Sequence, residues 1–434
     1  MNLDHFKTKA LQLDKSDALA EFRRLFLFPR HQNRKVIYLT GNSLGLQPIT
    51  ARNALLQELD DWAVHGVEGH FKAKHPWYAY HEMFVAPMSH LIGGLPDEVV
   101  VMNGLTTNLH LLMATFYRPN KQRYKILCES KAFPSDRYAL ETQIRHHGLN
   151  VEDTLIEIGP REGEYIVDER DILAAIADHR DQLALVMMGG VNYYTGQVFD
   201  IARITRASHD AGALCGWDLA HAVGNIPLKL HGDTVDFAAW CSYKYLNAGP
   251  GSVSGVFIHQ KHAQNTTLPR LGGWWGHDKT TRFKMEPNFK PMPSAEGWQL
   301  SNAPVFAMAP LKASLDIFIQ AGGMEPLRRK SIALSAWLRE VLAAVAQTTG
   351  VQLKVITPSS SERCGAQVSV LVEGISGKSL FDRLSENGVV ADWREPNVIR
   401  MAPVPLYNNF EDIYRFMEIL HDGVLTIKEG KYAE

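Results

Sequence analysis

Apolar and polar positions change rhythm several times along the chain. Over residues 1–30, Leu11, Leu13, Leu19, Phe22, Leu25 and Phe26 recur near helical spacing, which predicts a helical arm. "VIYLTGNSLGLQP" (36–48) reads as a strand entering a turn-rich loop, and helical patterns follow over 49–65 and 80–93. From about residue 100 a new order begins: helix "TNLHLLMATFY", strand "YKILCES", helix "SDRYALETQIRHHG", strand "LALVMMGGV", helix "IARITRASHDAG" and strand "ALCGWD". The apolar runs "FAAWCSYK" and "SGVFIHQ" come next. Strands alternating with helices at this spacing predict an α/β fold with a mostly parallel sheet. A loop-rich stretch, 265–310, carries "LGGWWGH". After it the pattern predicts helices at 310–322 and 330–348, a strand in "AQVSVLVE", a helix in "SLFDRLSENG", a strand near "NVIRMAP" and a last helix in "FEDIYRFMEILHDG". That α+β character predicts a smaller C-terminal domain. The expected division is an arm and small-domain segment over 1–48, a large domain over 49–305, and the small domain over 306–434.

Composition narrows the class. At 434 residues with 45% hydrophobic content, the chain is long enough for two or three domains and a large core. Lys and Arg total 45 against 47 Asp and Glu, a formal charge of -2, so nothing points to a nucleic-acid partner. Cys128, Cys215, Cys241 and Cys364 lack CxxC spacing and read as small buried apolar residues; no metal site is expected. The start is charged and amphipathic, unlike a signal peptide, and no apolar run approaches the ~18 residues of a membrane span. The expectation is a soluble cytoplasmic protein.

The candidate chemistry gathers where strands end. In a doubly wound sheet the ligand crevice lies beyond the carboxyl ends of the strands. Asp218 follows the apolar strand "ALCGW", with His221 three residues on. Alone, Asp218 reads more readily as a helix N-cap than as a catalyst. Lys244, in "CSYKYLNAGPG", follows another apolar run, and a lysine is costly to bury unless paired or used covalently. An acid and a lysine at one sheet edge suit pyridoxal phosphate, the lysine forming a Schiff base and the acid pairing with the pyridine nitrogen. In "MNGLTTNLHLLM", Thr106 or Thr107 is expected to cap a helix whose N-terminus could cradle a phosphate. In "AFPSD", Phe133 could stack on the ring, and Ser135 or Asp136 could cap the next helix. Of the paired Trp274 and Trp275, one is expected to be core and the other to face a site, its N–H suited to a phosphate oxygen. Arg400, beside a short apolar strand, wants a planar anion: a protein carboxylate or the α-carboxylate of an amino-acid substrate.

Together "YLTGNSLGLQP", "VMNGLTTNLHLLM", "KAFPSD", "YYTGQ", "DLAHAVGN", "CSYKYLNAGPG", "GWWGH", "TRFKM", "QLSNAP" and "APVPLYN" resemble the kynureninase family, fold-type-I pyridoxal-phosphate enzymes of the aspartate-aminotransferase superfamily. The likeness implies Lys244 as the Schiff-base lysine and Asp218 as the partner of the ring nitrogen, with His221 beside it. It implies Phe133 on the ring, Leu105 and Thr106 at the phosphate, and Ser135, Asp136 and Gly189 against the cofactor. Tyr243 is implied at the phosphate and as a proton donor. Trp274 would come from a second subunit, and with Asn302 would complete the cofactor site of a homodimer with shared active sites. Arg400 would hold the substrate carboxylate. His70, Ser301 and Asn302 match forms that favour 3-hydroxykynurenine over kynurenine, because an added hydroxyl is read well only where polar partners await it. The implied reaction is hydrolysis between Cβ and the γ-carbonyl carbon, giving L-alanine and (3-hydroxy)anthranilate, in tryptophan catabolism or in pyridine-nucleotide (NAD) biosynthesis. Two rivals stand beside this reading. One is a cysteine desulfurase or aminotransferase of the same fold; a desulfurase would need a mobile cysteine. The other is a non-catalytic scaffold that keeps the fold.

Overall fold

A computed structural model describes residues 3–430. Its centre is a sheet of seven strands: β1 (Val99–Met102), β2 (Lys125–Glu129), β3 (Leu155–Ile158), β4 (Leu183–Gly189), β5 (Leu214–Asp218), β6 (Phe237–Trp240) and β7 (Ser254–Ile258), in the order β1-β7-β6-β5-β4-β2-β3. Pairing is parallel from β6 through β3, while β7 runs antiparallel to both β6 and β1. Both faces are covered along most of the sheet, so its strands, the edge strand β3 apart, are mostly apolar runs without polar alternation. Val99, Val101, Trp217 and Trp240 face one core, while Val100, Met102, Phe237 and Val256 face the other. Gly255 makes room for the Trp240 indole: a Cβ there would lie 2.2 Å from the ring. On the second face Phe116 stacks on Phe237, with centroids 4.6 Å apart.

Helix α1 (Leu3–Lys15) forms the first part of the predicted arm; the chain then turns through a 3-10 segment at Ala20–Leu25. Helix α2 (Ala51–His65) follows as predicted. α3 (Leu105–Phe116) and α4 (Pro134–His146) follow β1 and β2, and α5 (Ile201–Asp210) leads into β5. α6 (Val305–Gln320) and α7 (Met324–Thr349) each begin earlier than the pattern predicts. Pro310 reads as a helix start, yet it lies inside α6, and Pro326 lies in the first turn of α7, where a missing N–H costs little.

A second core joins α7 to strands β8 (Gln352–Val355), β9 (Val368–Glu373), β10 (Asp392–Arg394) and β11 (Val398–Met401), and to helices α8 (Gly377–Glu386) and α9 (Phe410–Lys428). The strand order is β8-β9-β11-β10. Ala10, Ile37 and Leu39 enter this same core, so the N-terminal segment packs with the C-terminal part of the chain. α6 packs instead with the first core, through Met308, Leu311 and Leu315. No single helix among the described residues is long and apolar enough to cross a membrane.

Candidate active site

The carboxyl ends of β2, β4 and β5 and the loop after β6 open on one cavity of about 320 Å³. Asp218 ends β5, and its carboxylate accepts the Ala220 N–H at 2.7 Å. His221 follows in the same turn. Lys244 lies four residues beyond the end of β6, in a loop fixed from behind. Gly45 N–H donates to the Tyr243 carbonyl at 2.8 Å, and a Cβ on Gly45 would sit 2.4 Å from the Lys244 carbonyl oxygen. The "GNSLG" loop is therefore a backing plate for the lysine, and only glycine fits at the contact.

Lys244 is 9% exposed, and its Nζ lies 3.0 Å from His221 Nε2. Burial, then Lys244, Arg400 and Arg394, drive the His221 pKa well below its ordinary value. His221 is therefore neutral and accepts from the lysine; its Nδ1 is buried without a partner. The Nζ lies 5.7 Å from the Phe133 ring and 5.9 Å from the Tyr243 ring. Around this one cation stand three carboxyls: Asp136, Asp218 and Glu129. Burial raises all three pKa values, Glu129 to about 7. The Asp218 charge close by pushes the Asp136 carboxyl up further. Such an excess of buried acid wants a second cation. The Tyr243 hydroxyl is held protonated, chiefly by burial and then by Cys241 beside it.

At the other end of the cavity α3 begins without a side-chain cap. Asn103 takes a left-handed φ of 50°, and Gly104 is the N-cap in extended conformation. Thr106 and Thr107, expected as caps, instead lie in the first turn, because the turn at Asn103 starts the helix one residue ahead of them. The first N–H groups of this twelve-residue helix are left free for an anion. Ser135 and Asp136 are likewise first-turn residues of α4, whose N-cap is Phe133, because Pro134 is preset for the first helical position. An anion seat at one end, surplus acid at the other and a 40%-exposed aromatic ring on the wall fit a flat phosphorylated heterocycle that carries a positive charge. Pyridoxal phosphate has those parts.

Leu105, Thr106, Phe133, Ser135, Asp136, Gly189, Asp218, His221, Tyr243 and Lys244 all line this cavity. Trp274, His70, Ser301 and Asn302 do not. Trp275 is core, while Trp274 is 48% exposed and its indole N–H, expected to suit a phosphate, donates to the Arg282 carbonyl at 3.1 Å. Ser301 and Asn302 are exposed, and His70 packs edge-on against Trp77 at 5.6 Å. Arg400 is 1% exposed and does not line the cavity. It holds a protein carboxylate, Asp392, and donates to the carbonyl of Tyr193, which does line it. The sequence reading missed Glu129 and Tyr193. Glu129 had the same signal as Asp218, an acid ending an apolar strand; its Oε2 accepts from Asn192 at 2.9 Å. All four cysteines are buried and free, so none is the mobile nucleophile of a desulfurase.

A family model described as the kynureninase C-terminal domain matches residues 327–420. A kynureninase of Flavobacterium psychrophilum is 54% identical over 416 residues, 96% of this chain and 97% of its own. A kynureninase of Myxococcus xanthus is 51% identical over 412 residues, 95% and 96% of the two chains. Solved structures share the fold at much lower identity. The cystine C-S lyase C-DES in complex with cysteine persulfide superposes at TM-score 0.75 with 18% identity, covering 89% of this chain and 97% of that one. The cysteine desulfurase CsdA of Escherichia coli superposes at 0.73 with 16% identity, covering 95% and 98%. The fold is thus that of fold-type-I pyridoxal-phosphate enzymes, and identity above one half along nearly the whole of both chains settles the relation within it: this chain belongs to the kynureninase family.

Proposed function

We propose that this chain hydrolyses the bond between Cβ and the γ-carbonyl carbon of L-kynurenine and, in preference, 3-hydroxy-L-kynurenine, releasing L-alanine and anthranilate or 3-hydroxyanthranilate. As a member of its family it is a hydrolase of carbon–carbon bonds in ketonic substrates, with pyridoxal 5'-phosphate as cofactor. The observation that carries the reading is the buried Lys244 amine, 3.0 Å from a neutral His221, in a cavity with surplus acid at one end and an uncapped helix N-terminus at the other.

When bound, the cofactor supplies an electron sink that lets the substrate α-proton leave near neutral pH. The chain does the rest. Lys244 would anchor the cofactor through its Nζ, and the free amine would be the group placed to take the substrate α-proton. His221 accepts a hydrogen bond from Lys244 and so orients the amine. Asp218 would hold a proton at the ring nitrogen, with Glu129 and Asp136 as its buried acidic neighbours. Leu105 and Thr106 would present backbone N–H groups to the phosphate, and Phe133 would cover the ring. Tyr243, which keeps its own proton, is the acid for the departing carbon. Arg400 binds the substrate carboxylate.

Trp274, Asn302, Ser301 and His70 lie at the surface of one chain. We assign them to the active site of a second copy in a homodimer, where Trp274 and Asn302 complete the cofactor site and His70, Ser301 and Asn302 meet the ring hydroxyl. A 3-hydroxy preference favours a role in NAD biosynthesis over catabolism alone, and four free buried cysteines fit a reducing cytoplasm. The test is kcat/KM for both substrates, with products identified. Formation of L-alanine with a higher value for the 3-hydroxy form is expected; a clear preference for kynurenine would remove the specificity assignment, and no alanine from either would remove the activity.

A further inference from the structure

We infer that Asp392 is the positioning residue for substrate-carboxylate recognition, holding Arg400 in its binding orientation. The inference rests on the reading of Arg400 as the carboxylate-binding group. β10 and β11 are antiparallel, and Asp392 is the direct cross-strand partner of Arg400, so both side chains leave the same face of the sheet. Arg400 Nη2 lies 2.8 Å from Asp392 Oδ2, and Nε donates to Oδ1 at 3.3 Å. Nη1 donates to the carbonyl of Tyr193, a cavity-wall residue whose ring meets Phe133 edge-on at 5.4 Å. Three contacts from two directions fix the guanidinium plane against the turn after β4.

A second guanidinium shares the Asp392 carboxylate. Arg394 also reaches Asp392, its Nε 3.1 Å from Oδ1 and its Nη2 3.3 Å from Oδ2. Two guanidiniums thus share one carboxylate, an excess of one positive charge. Both cations act on His221 and on Tyr193, which line the cavity. With Arg400 1% exposed and Asp392 12%, little water screens the group. A planar fork committed on one edge offers its remaining N–H groups in a fixed direction, which is what recognition of a second carboxylate needs.

The experiment uses the holoenzyme and three variants, Asp392→Asn, Asp392→Glu and Arg400→Gln, reading kcat, KM and inhibition by L-alanine. Asp392→Asn is expected to raise KM and the alanine inhibition constant roughly 10- to 100-fold, the span of a charge-assisted hydrogen bond, with kcat within about 3-fold of wild type. Asp392→Glu, which restores the charge, is expected to recover part of the loss. A merely structural role would lower stability and active fraction without moving KM. If Arg400→Gln raises KM while Asp392→Asn leaves it unchanged or lowers it, Asp392 does not position the arginine and the inference falls alone. If Arg400→Gln leaves KM unchanged, the reading of Arg400 falls and takes the inference with it.

Discussion

At the residue scale, the site is built around an imbalance: one lysine among three buried carboxyls. On the proposed roles, replacing Lys244 with alanine would remove the anchor and the α-proton acceptor together, so the cofactor's imine absorption band and nearly all turnover are expected to vanish. Asp218→Ala is expected to retain some cofactor and to lose roughly 10³-fold or more in kcat, the scale of losing a preorganised electrostatic partner. Glu129 gives a pH prediction. Burial raises its carboxyl to about 7, above the ordinary value of 4.5. A carboxyl raised on folding binds more protons in the native state than in the unfolded one. Its contribution is favourable below about 4.5 and is lost as pH rises toward 7. Glu129→Gln should therefore stabilise the cofactor-free protein at pH 8 relative to pH 4.5, by on the order of 3 kcal/mol in the variant-minus-wild-type difference. Parallel stability–pH curves for the two proteins would count against it. Lys244 and Asp218 stood out in sequence because each follows an apolar run, where a buried charge is costly; Phe133 was only an aromatic in a loop until the resemblance gave it a role. Tyr193 did not stand out, since an aromatic in a turn has a dozen ordinary uses.

At the element scale, the parallel heart of the sheet was readable because strands buried on both faces must be nearly all apolar. β3, β8 and β10 were not: they are edge strands, their burial is partial, and their sequences "LIEI", "QLKV" and "DWR" carry polar residues accordingly. β1, "VVVM", is wholly buried, but a four-residue apolar run has no period to distinguish strand from helix. Helix caps were misplaced for a related reason. The signal of a threonine before an apolar run is local, whereas the start of α3 is set by the left-handed turn at Asn103, and the uncapped N–H groups are of use to a ligand. Packing within the sheet also gives a sharp test. Gly255→Ala would drive a methyl to 2.2 Å from the Trp240 indole, backbone against a fully buried ring. A loss of about 1–3 kcal/mol in urea unfolding is expected, with the fold retained; no loss would mean that the sheet adapts more freely than its packing implies.

At the scale of the whole molecule, the first residues of the chain secure the last helix. Asp14 accepts the N–H groups of Phe410 and Glu411 at 2.7 and 3.0 Å, capping α9 across nearly the full length of the sequence. Asp17 pairs with Lys330 at 2.7 Å with both side chains buried, and Arg23 pairs with Asp412 at 2.6 Å. The helical pattern of the arm and its grouping with the small domain were readable in sequence; the individual pairs that hold it were not, because pairing over such a separation leaves no local trace. Asp17→Ala would leave the Lys330 ammonium buried and unpaired, and a loss of about 3–5 kcal/mol in chemical unfolding is expected. Asp17→Ala with Lys330→Met should recover much of it, and failure to do so would show that the arm, not the charge pair, carries the stability.

The central claim is that the Lys244 amine carries the cofactor. Reduction of the holoenzyme with borohydride, followed by mass spectrometry of the digested chain, tests it directly. The account predicts a phosphopyridoxyl group on the peptide containing Lys244. The same group on a different lysine, or no modified lysine in a yellow, active enzyme, would contradict it.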